Sequence, residues 1–409
     1  MNARRAAVFV VAVLLASSVG CADDAGDAPE TGAVEPGVAS EAAESVDAVE
    51  SVDAVENVED ERAALAAASA FVQPVTETGL LACQDLDGFS VHCGYRNPED
   101  LVPVPDGSQL IVSEMGEFML DTPGQLSLLD LATGDAASLP IDWSAANDPW
   151  GEAGCPTPDV DAFSPHGIDL VTRDDGAHAL LVVNHGGREA VEFFELSQVG
   201  DGWGLAWRGC ARPPGDPFIN DVAGLADGGF LVTHMWDKSQ PFEEIAARFS
   251  RGENLGWVWS FSPTAGFAKL PSSDAPMPNG IALSADGSKV FVNDYLGNRT
   301  LRIDRMTGEL EGSFDVRQPD NITVDADGML WVASHQHDPI GQTCALVTEG
   351  PCLLPYAVVR ADPETLETRT VLEGDGAPMG YSTVALHFGD RLYLGSAHGD
   401  RIVSRPVLR

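Results

Sequence analysis

A chain of 409 residues, 44% of them hydrophobic, is long enough for one large core with appendages. Its formal net charge of −40 excludes nucleic acid as a partner, because a polyanion is repelled at every approach. Lysine is confined to Lys238, Lys269 and Lys289, a balance suited to solubility in salt or to a compartment rich in divalent cations.

Residues 1–21 read as an export signal. Arg4 and Arg5 precede the apolar run Ala6 to Leu15, which is too short to span a bilayer, and small residues lead to Ser18-Val19-Gly20-Cys21. This stretch resembles a bacterial lipobox, whose cysteine becomes the lipidated first residue of a periplasmic or outer-membrane lipoprotein. An ordinary cleaved secretory signal is the other reading. Both export the chain, and the only membrane contact implied is an N-terminal lipid anchor.

Residues 22–72 read as an acidic, low-complexity linker. Ala22 to Glu61 holds fourteen acidic residues and no basic one, with no aromatic side chain, so it cannot bury enough surface to fold alone. Arg62 to Phe71 is alanine-rich and suggests a short helix. Beyond Cys21 there are six cysteines, an even number that in an oxidising compartment points to three disulfides. Proximity favours Cys83–Cys93 and Cys344–Cys352, which leaves Cys155–Cys210.

From residue 73 to 409 the pattern changes to short apolar strands separated by Gly, Asp and Pro turns. One unit recurs: a polar residue, alternating apolar positions, an Asp-Gly turn and a β-rich strand. Its copies begin at Glu99-Asp100-Leu101, His166-Gly167-Ile168, Asn220-Asp221-Val222, Asn279-Gly280-Ile281, Asp320-Asn321-Ile322 and Ser382-Thr383-Val384. Six copies at intervals of about 40 to 70 residues suit four-stranded antiparallel blades with variable outer loops. The expectation is an all-β, six-bladed β-propeller preceded by a disordered acidic tether. The Asp-Gly pairs suggest two-residue hairpin turns between the first and second strand of each blade.

In a propeller the starts of the innermost strands surround one axis. The residues there are polar, and most are oxygen donors. Two carboxylates and three amides converging on a point suit calcium, which accepts six to eight oxygens in flexible geometry. Neighbours on a strand point different ways, so Asp100 and Asp221 are placed to hold a second, buried cation.

Ser164-Pro165-His166-Gly167-Ile168, Leu181-Val182-Val183-Asn184-His185, Asn220-Asp221, Asn279-Gly280-Ile281 and Asp320-Asn321-Ile322 together resemble the serum paraoxonase/arylesterase family from Asn97 onward. More distantly the chain is similar to gluconolactonases and strictosidine-synthase-like propellers. The resemblance implies two calcium ions and hydrolysis of a small-molecule lactone or aryl ester. Carried over, the catalytic calcium would be held by Glu99, Asn220, Asn279, Asp320 and Asn321. The structural calcium would be held by Asp100, Asp221 and the carbonyl of Ile168. His166 and His185 would form the family's histidine dyad, and Ser382 leaves the ligand set. The family's disulfide between first and last strands has no counterpart, since no cysteine follows Arg401, so closure is expected to rest on strand pairing.

A neutral imidazole is a suitable base for water near physiological pH, and Asp320 is the alternative base or nucleophile. No Gly-x-Ser-x-Gly elbow supports a serine hydrolase. His335 and His337 read as residues of a loop after the fifth repeat. Two functional classes follow: a calcium-dependent hydrolase, or an exported calcium-stabilised propeller that binds or scaffolds without catalysis. The histidine pair favours the first, because a scaffold needs the ligands but not the dyad.

Overall fold

A computed structural model describes residues 82–407 apart from 118–121, 145–147 and most of 339–349. The export signal, the acidic linker and the helix expected over Arg62 to Phe71 lie outside the described residues. Six antiparallel sheets follow one another along the chain. Their innermost strands are Pro98–Pro103, Pro165–Thr172, Pro217–Gly224, Pro278–Leu283, Pro319–Val324 and Ser382–Phe388. Each touches the inner strands of its two neighbours and the last touches the first, so the sheets form a closed, six-bladed β-propeller. We number the blades 1 to 6 in that order.

Closure uses strand pairing, as the missing C-terminal cysteine requires. Ser90–Cys93 pairs antiparallel with Arg401–Pro406 and completes blade 6, with Cys93 opposite Arg401. Arg391 ties the seam by donating to both Ser90 Oγ and Ser404 Oγ at 3.0 Å. The Cys83–Cys93 disulfide anchors the incoming strand, and Cys155–Cys210 and Cys344–Cys352 are also bonded. Cys210 lies within the outer strand Gly202–Ala211.

Two features depart from the expected regularity. Blade 2 has six strands, because the short strands Ile141–Asp142 and Trp150–Gly151 add in parallel to Gly202–Ala211. Between the first and second strands a two-residue turn occurs only in blade 6, where Phe388 pairs with Arg391 and Gly389 has φ 64°. In blades 1 to 5 the connection is five residues long, for example 104–108 and 225–229. Of the Asp-Gly pairs, only the glycine takes positive φ there. In blade 1, Asp106 instead accepts the N–H of Ser108 and, in blade 3, Asp227 accepts that of Gly229. This Asx-type bonding is the physical reason aspartate suits a longer loop.

The apolar residues of each repeat pack between adjacent blades. Leu181, Val183 and Phe193 of blade 2, for instance, share one cluster with Ile219, Val222, Phe230 and Val232 of blade 3. Full burial of each such side chain contributes about 1.5–3 kcal/mol. Among the described residues the one α-helix is Phe242–Ser250, on the excursion between the second and third strands of blade 3.

Candidate active site

Proline directly precedes the axial residue in four blades, at Pro98-Glu99, Pro165-His166, Pro278-Asn279 and Pro319-Asp320. Lacking an N–H, it weakens the ladder where each inner strand must break step. All six inner strands shift register at that point, between Pro98 and Asp100, Pro165 and Ile168, Ile219 and Val222, Pro278 and Ile281, Pro319 and Ile322, and Ser382 and Val384. Bulges of this kind re-aim side chains, and here they turn six polar residues into the interior. Glycine follows in two blades because the inner strands crowd together. A Cβ on Gly167 would lie 2.6 Å from Asp221 Cα, and one on Gly280 would lie 2.7 Å from Asn321 Cα.

Hydrogen bonds stitch each blade to the next around the whole ring. Ile168 N donates to Asp100 Oδ2 and Ile281 N to Asp221 Oδ2, both at 2.8 Å, and Gly224 N donates to Asp169 Oδ2 at 2.7 Å. Asn293 donates to the Asp320 carbonyl, Thr323 to that of Ala385 at 2.7 Å, and Thr383 to that of Glu99 at 2.8 Å. The axial backbone is therefore held from both sides.

The structure brings Glu99, Asn220, Asn279, Asp320 and Asn321 together, all at most 6% exposed. Asn321 Nδ2 donates to Glu99 Oε1 at 2.8 Å, and His166 Nε2 lies 3.5 Å from the same oxygen and 3.5 Å from Asn220 Nδ2. Glu99 Oε2 and the Oδ1 atoms of Asn220, Asn279 and Asn321 are buried without a hydrogen-bond partner. Four orphaned oxygens and no competing cation make a donor set that fits a hard, oxygen-seeking ion such as calcium. Among the described residues no group of three or more His, Cys, Asp or Glu side chains is arranged to hold a metal.

The charges point the same way. Burial, then the Glu99 charge, pushes Asp320 well above the ordinary carboxylate range, against a hydrogen bond from Asn279. Burial and Glu99 do the same to Asp100, and burial followed by Asp100 to Asp221. Asp100 and Asp221 each accept two backbone N–H groups, one of them from the next blade. Ile168 meets Asp100 through its N–H. Ser382 turns away from the ligand set and donates to the Val384 carbonyl at 3.1 Å.

His166 Nδ1 and His185 Nε2 lie 2.7 Å apart, in rings 4.9 Å from centre to centre. His185 stacks on Phe218 at 4.7 Å, and Phe218 stacks on Trp236 at 4.6 Å, which fixes the plane of the outer ring. Beyond His185, Glu189, Arg188, Arg212 and Lys238 line a surface cavity of about 740 Å3.

Two neighbours of the site were not anticipated. His335 ends the strand Leu330–His335 and is 1% exposed, so it is not a loop residue. Its Nε2 lies 3.3 Å from Asp320 Oδ2, its Nδ1 lies 2.9 Å from Tyr295 Oη, and its ring stacks on Tyr381 at 4.2 Å. Burial, then His337, holds it well below the ordinary histidine range, hence neutral. Its position at the end of the second strand of its repeat matches that of Asn184-His185 in blade 2, a signal present in the sequence. Glu189 follows His185 by four positions and reaches its Nδ1 at 3.0 Å. No periodicity marks it.

Residues 171–344 match the family model for the SMP-30/Gluconolactonase/LRE-like region. The chain is 27% identical over 323 residues to serum paraoxonase/arylesterase 1 of Homo sapiens, covering 73% of this chain and 82% of the relative. It is 26% identical over 183 residues to strictosidine synthase of Catharanthus roseus, covering 43% and 47% respectively. A solved gluconolactonase from Xanthomonas campestris superposes with a TM-score of 0.47 at 16% identity, over 83% of this chain and 96% of that one. Residues 171–344 are thus similar to the SMP-30/Gluconolactonase/LRE-like region, and most of the chain is similar to serum paraoxonase/arylesterase 1.

Proposed function

We propose that this protein hydrolyses lactones or aryl esters and that calcium completes its axial site. The observation that carries the reading is the convergence of four buried, partnerless oxygens beside the His166–His185 pair. Glu99, Asn220, Asn279, Asp320 and Asn321 would hold the catalytic ion, and Asp100, Asp221 and Ile168 the structural one. The name arylesterase borne by the human relative supports the same substrate class.

Bound calcium would supply electrostatic stabilisation of the negative charge that develops on a substrate carbonyl oxygen. The chain's own residues handle the proton. His166 Nε2 takes a proton from a water as its oxygen attacks the carbonyl carbon, and returns it to the leaving oxygen when the C–O bond breaks. Asn220 Nδ2, 3.5 Å from that nitrogen, orients the ring edge. Asp320 is the second group proposed to take that proton. Tyr295, Tyr381 and His335 wall the far side and keep bulk water from Asp320.

The same reading places the protein outside the cytoplasm, on a lipid anchor at Cys21. Three disulfides within the described residues support an oxidising compartment. Loss of labelled fatty acid on Cys21→Ala tests the anchor. A panel of lactones and phenyl acetate, with and without chelator, tests the activity. Turnover that stops on chelation and returns with calcium is expected. Turnover that survives exhaustive chelation would count against the ion, and none on any ester against the hydrolase.

A further inference from the structure

We infer that Glu189, braced by Lys238, is a positioning residue that sets the proton arrangement of the His185–His166 pair. The inference rests on the hydrolase reading for its catalytic meaning but not for its geometry.

The Glu189 side chain is 6% exposed and points both carboxylate oxygens at His185 Nδ1, at 3.1 and 3.0 Å. Lys238 Nζ donates to its Oε1 at 2.7 Å and Ile219 N to its Oε2 at 3.3 Å, so the carboxylate is paired in its ionised form. An ionised carboxylate only accepts hydrogen bonds, so His185 must donate from Nδ1. A neutral His185 then has its lone pair on Nε2. That atom is 2.7 Å from His166 Nδ1, which must therefore carry the proton between the rings. The consequence falls at the far end of the chain of bonds: His166 Nε2 is left with its lone pair toward Glu99 and Asn220.

The competing arrangement puts a second proton on His185, so that both of its nitrogens donate. His166 would then accept at Nδ1, carry its proton on Nε2, and be unable to act as a base. A lone buried carboxylate favours that imidazolium. Lys238 opposes it, because its Nζ donates to Glu189 Oε1 at 2.7 Å and offsets the same negative charge. Ile219 N also donates to Glu189 Oε2 at 3.3 Å, next to the axial Asn220, so the carboxylate is held in place by the neighbouring blade.

Nitrogen-15 NMR of the purified full chain labelled at histidine, assigned by single histidine replacements, reads the arrangement directly. Expected is a proton on Nδ1 of both His166 and His185, with both Nε2 atoms unprotonated. Glu189→Gln should disturb that pattern and lower kcat by about ten- to a hundredfold with KM within twofold, and Glu189→Asp should restore part of both. A wild-type His166 protonated on Nε2 overturns the inference even if the Gln variant fails to fold. So does a folded Gln variant with an unchanged spectrum or with kcat within twofold. A wild type that orders its protons as stated but turns over no ester sinks the hydrolase reading, so the two failures are told apart.

Discussion

Asn321 donates its side-chain amide to Glu99 Oε1 across 2.8 Å, although 222 positions separate the two in the chain. The bond joins blade 5 to blade 1 and leaves Glu99 Oε2 and Asn321 Oδ1 buried without a partner. Each such orphan costs about 1–3 kcal/mol, which a bound cation offsets.

Calcium should therefore raise the melting temperature of the wild type, by the equivalent of about 2.7 kcal/mol at a hundred times its Kd. Glu99→Gln should abolish that response. In chelator the same variant should be at least as stable as the wild type, because the Glu99 charge helps push Asp100 and Asp320 upward. Calorimetry over a calcium titration checks both. A variant that answers to calcium as the wild type does would remove Glu99 from the ligand set.

The size of the calcium effect should grow with pH. Asp100, Asp221 and Asp320 are raised above the ordinary carboxylate range, burial being the first cause in each. A raised carboxyl adds stability below its ordinary value of 3.8 and loses it as pH climbs through the folded value, so the calcium-free protein weakens over that window. Calcium displaces those protons, and each one displaced adds up to about 1.4 kcal/mol per pH unit to the gap between loaded and chelated protein. Comparing the two forms cancels His234 and His337, which burial lowers to about 4 in both. Melting differences at pH 5, 6, 7 and 8 should widen steadily, and a constant gap would contradict the assignment.

His166→Gln should keep the fold and the calcium response while lowering kcat by about 10²–10⁴-fold. Glutamine spans a similar volume and still reaches His185, so the melting curve should change little. Stopped assays on phenyl acetate, paired with melting in calcium, separate the two effects. Unchanged turnover would move the base to Asp320.

Among the disulfides, Cys155–Cys210 should matter most. It spans 55 positions, against 10 for Cys83–Cys93 and 8 for Cys344–Cys352. Chain entropy assigns about 4 kcal/mol to the first and about 2.5 kcal/mol to each of the others. Cys210 is fully buried, so its loss also opens a packing defect. Urea midpoints of the three paired Cys→Ala variants test the order.

The sequence by itself determined the sixfold repeat, the polar residue at the head of each copy, and the three cysteine pairs. These are readable because each blade repeats one local solution, an inner strand opened by a polar residue and backed by a β-rich partner. Sequence proximity sufficed for the two short disulfide loops and elimination for the third. The Asp-Gly pairs marked the turns of blades 1 to 5 but not their length, and only the reversed Gly389-Asp390 of blade 6 forms the two-residue hairpin.

Only the tertiary structure decided what faces what across the axis. Bulges in all six inner strands aim Glu99, Asn220, Asn279 and Asn321 so that four oxygens are stranded together. Nothing in the local sequence separates a stranded oxygen from a turn-bonded one. His335 reaches Asp320 across two paired strands of blade 5, and Glu189 reaches His185 within the loop that joins two strands of blade 2. The Asn321–Glu99 contact depends on ring closure by Ser90–Cys93 against Arg401–Pro406, because only a closed ring brings blade 5 and blade 1 to the same axis. Side-chain periodicity records which face of a strand is buried, but it holds no information about which distant strand supplies the neighbour.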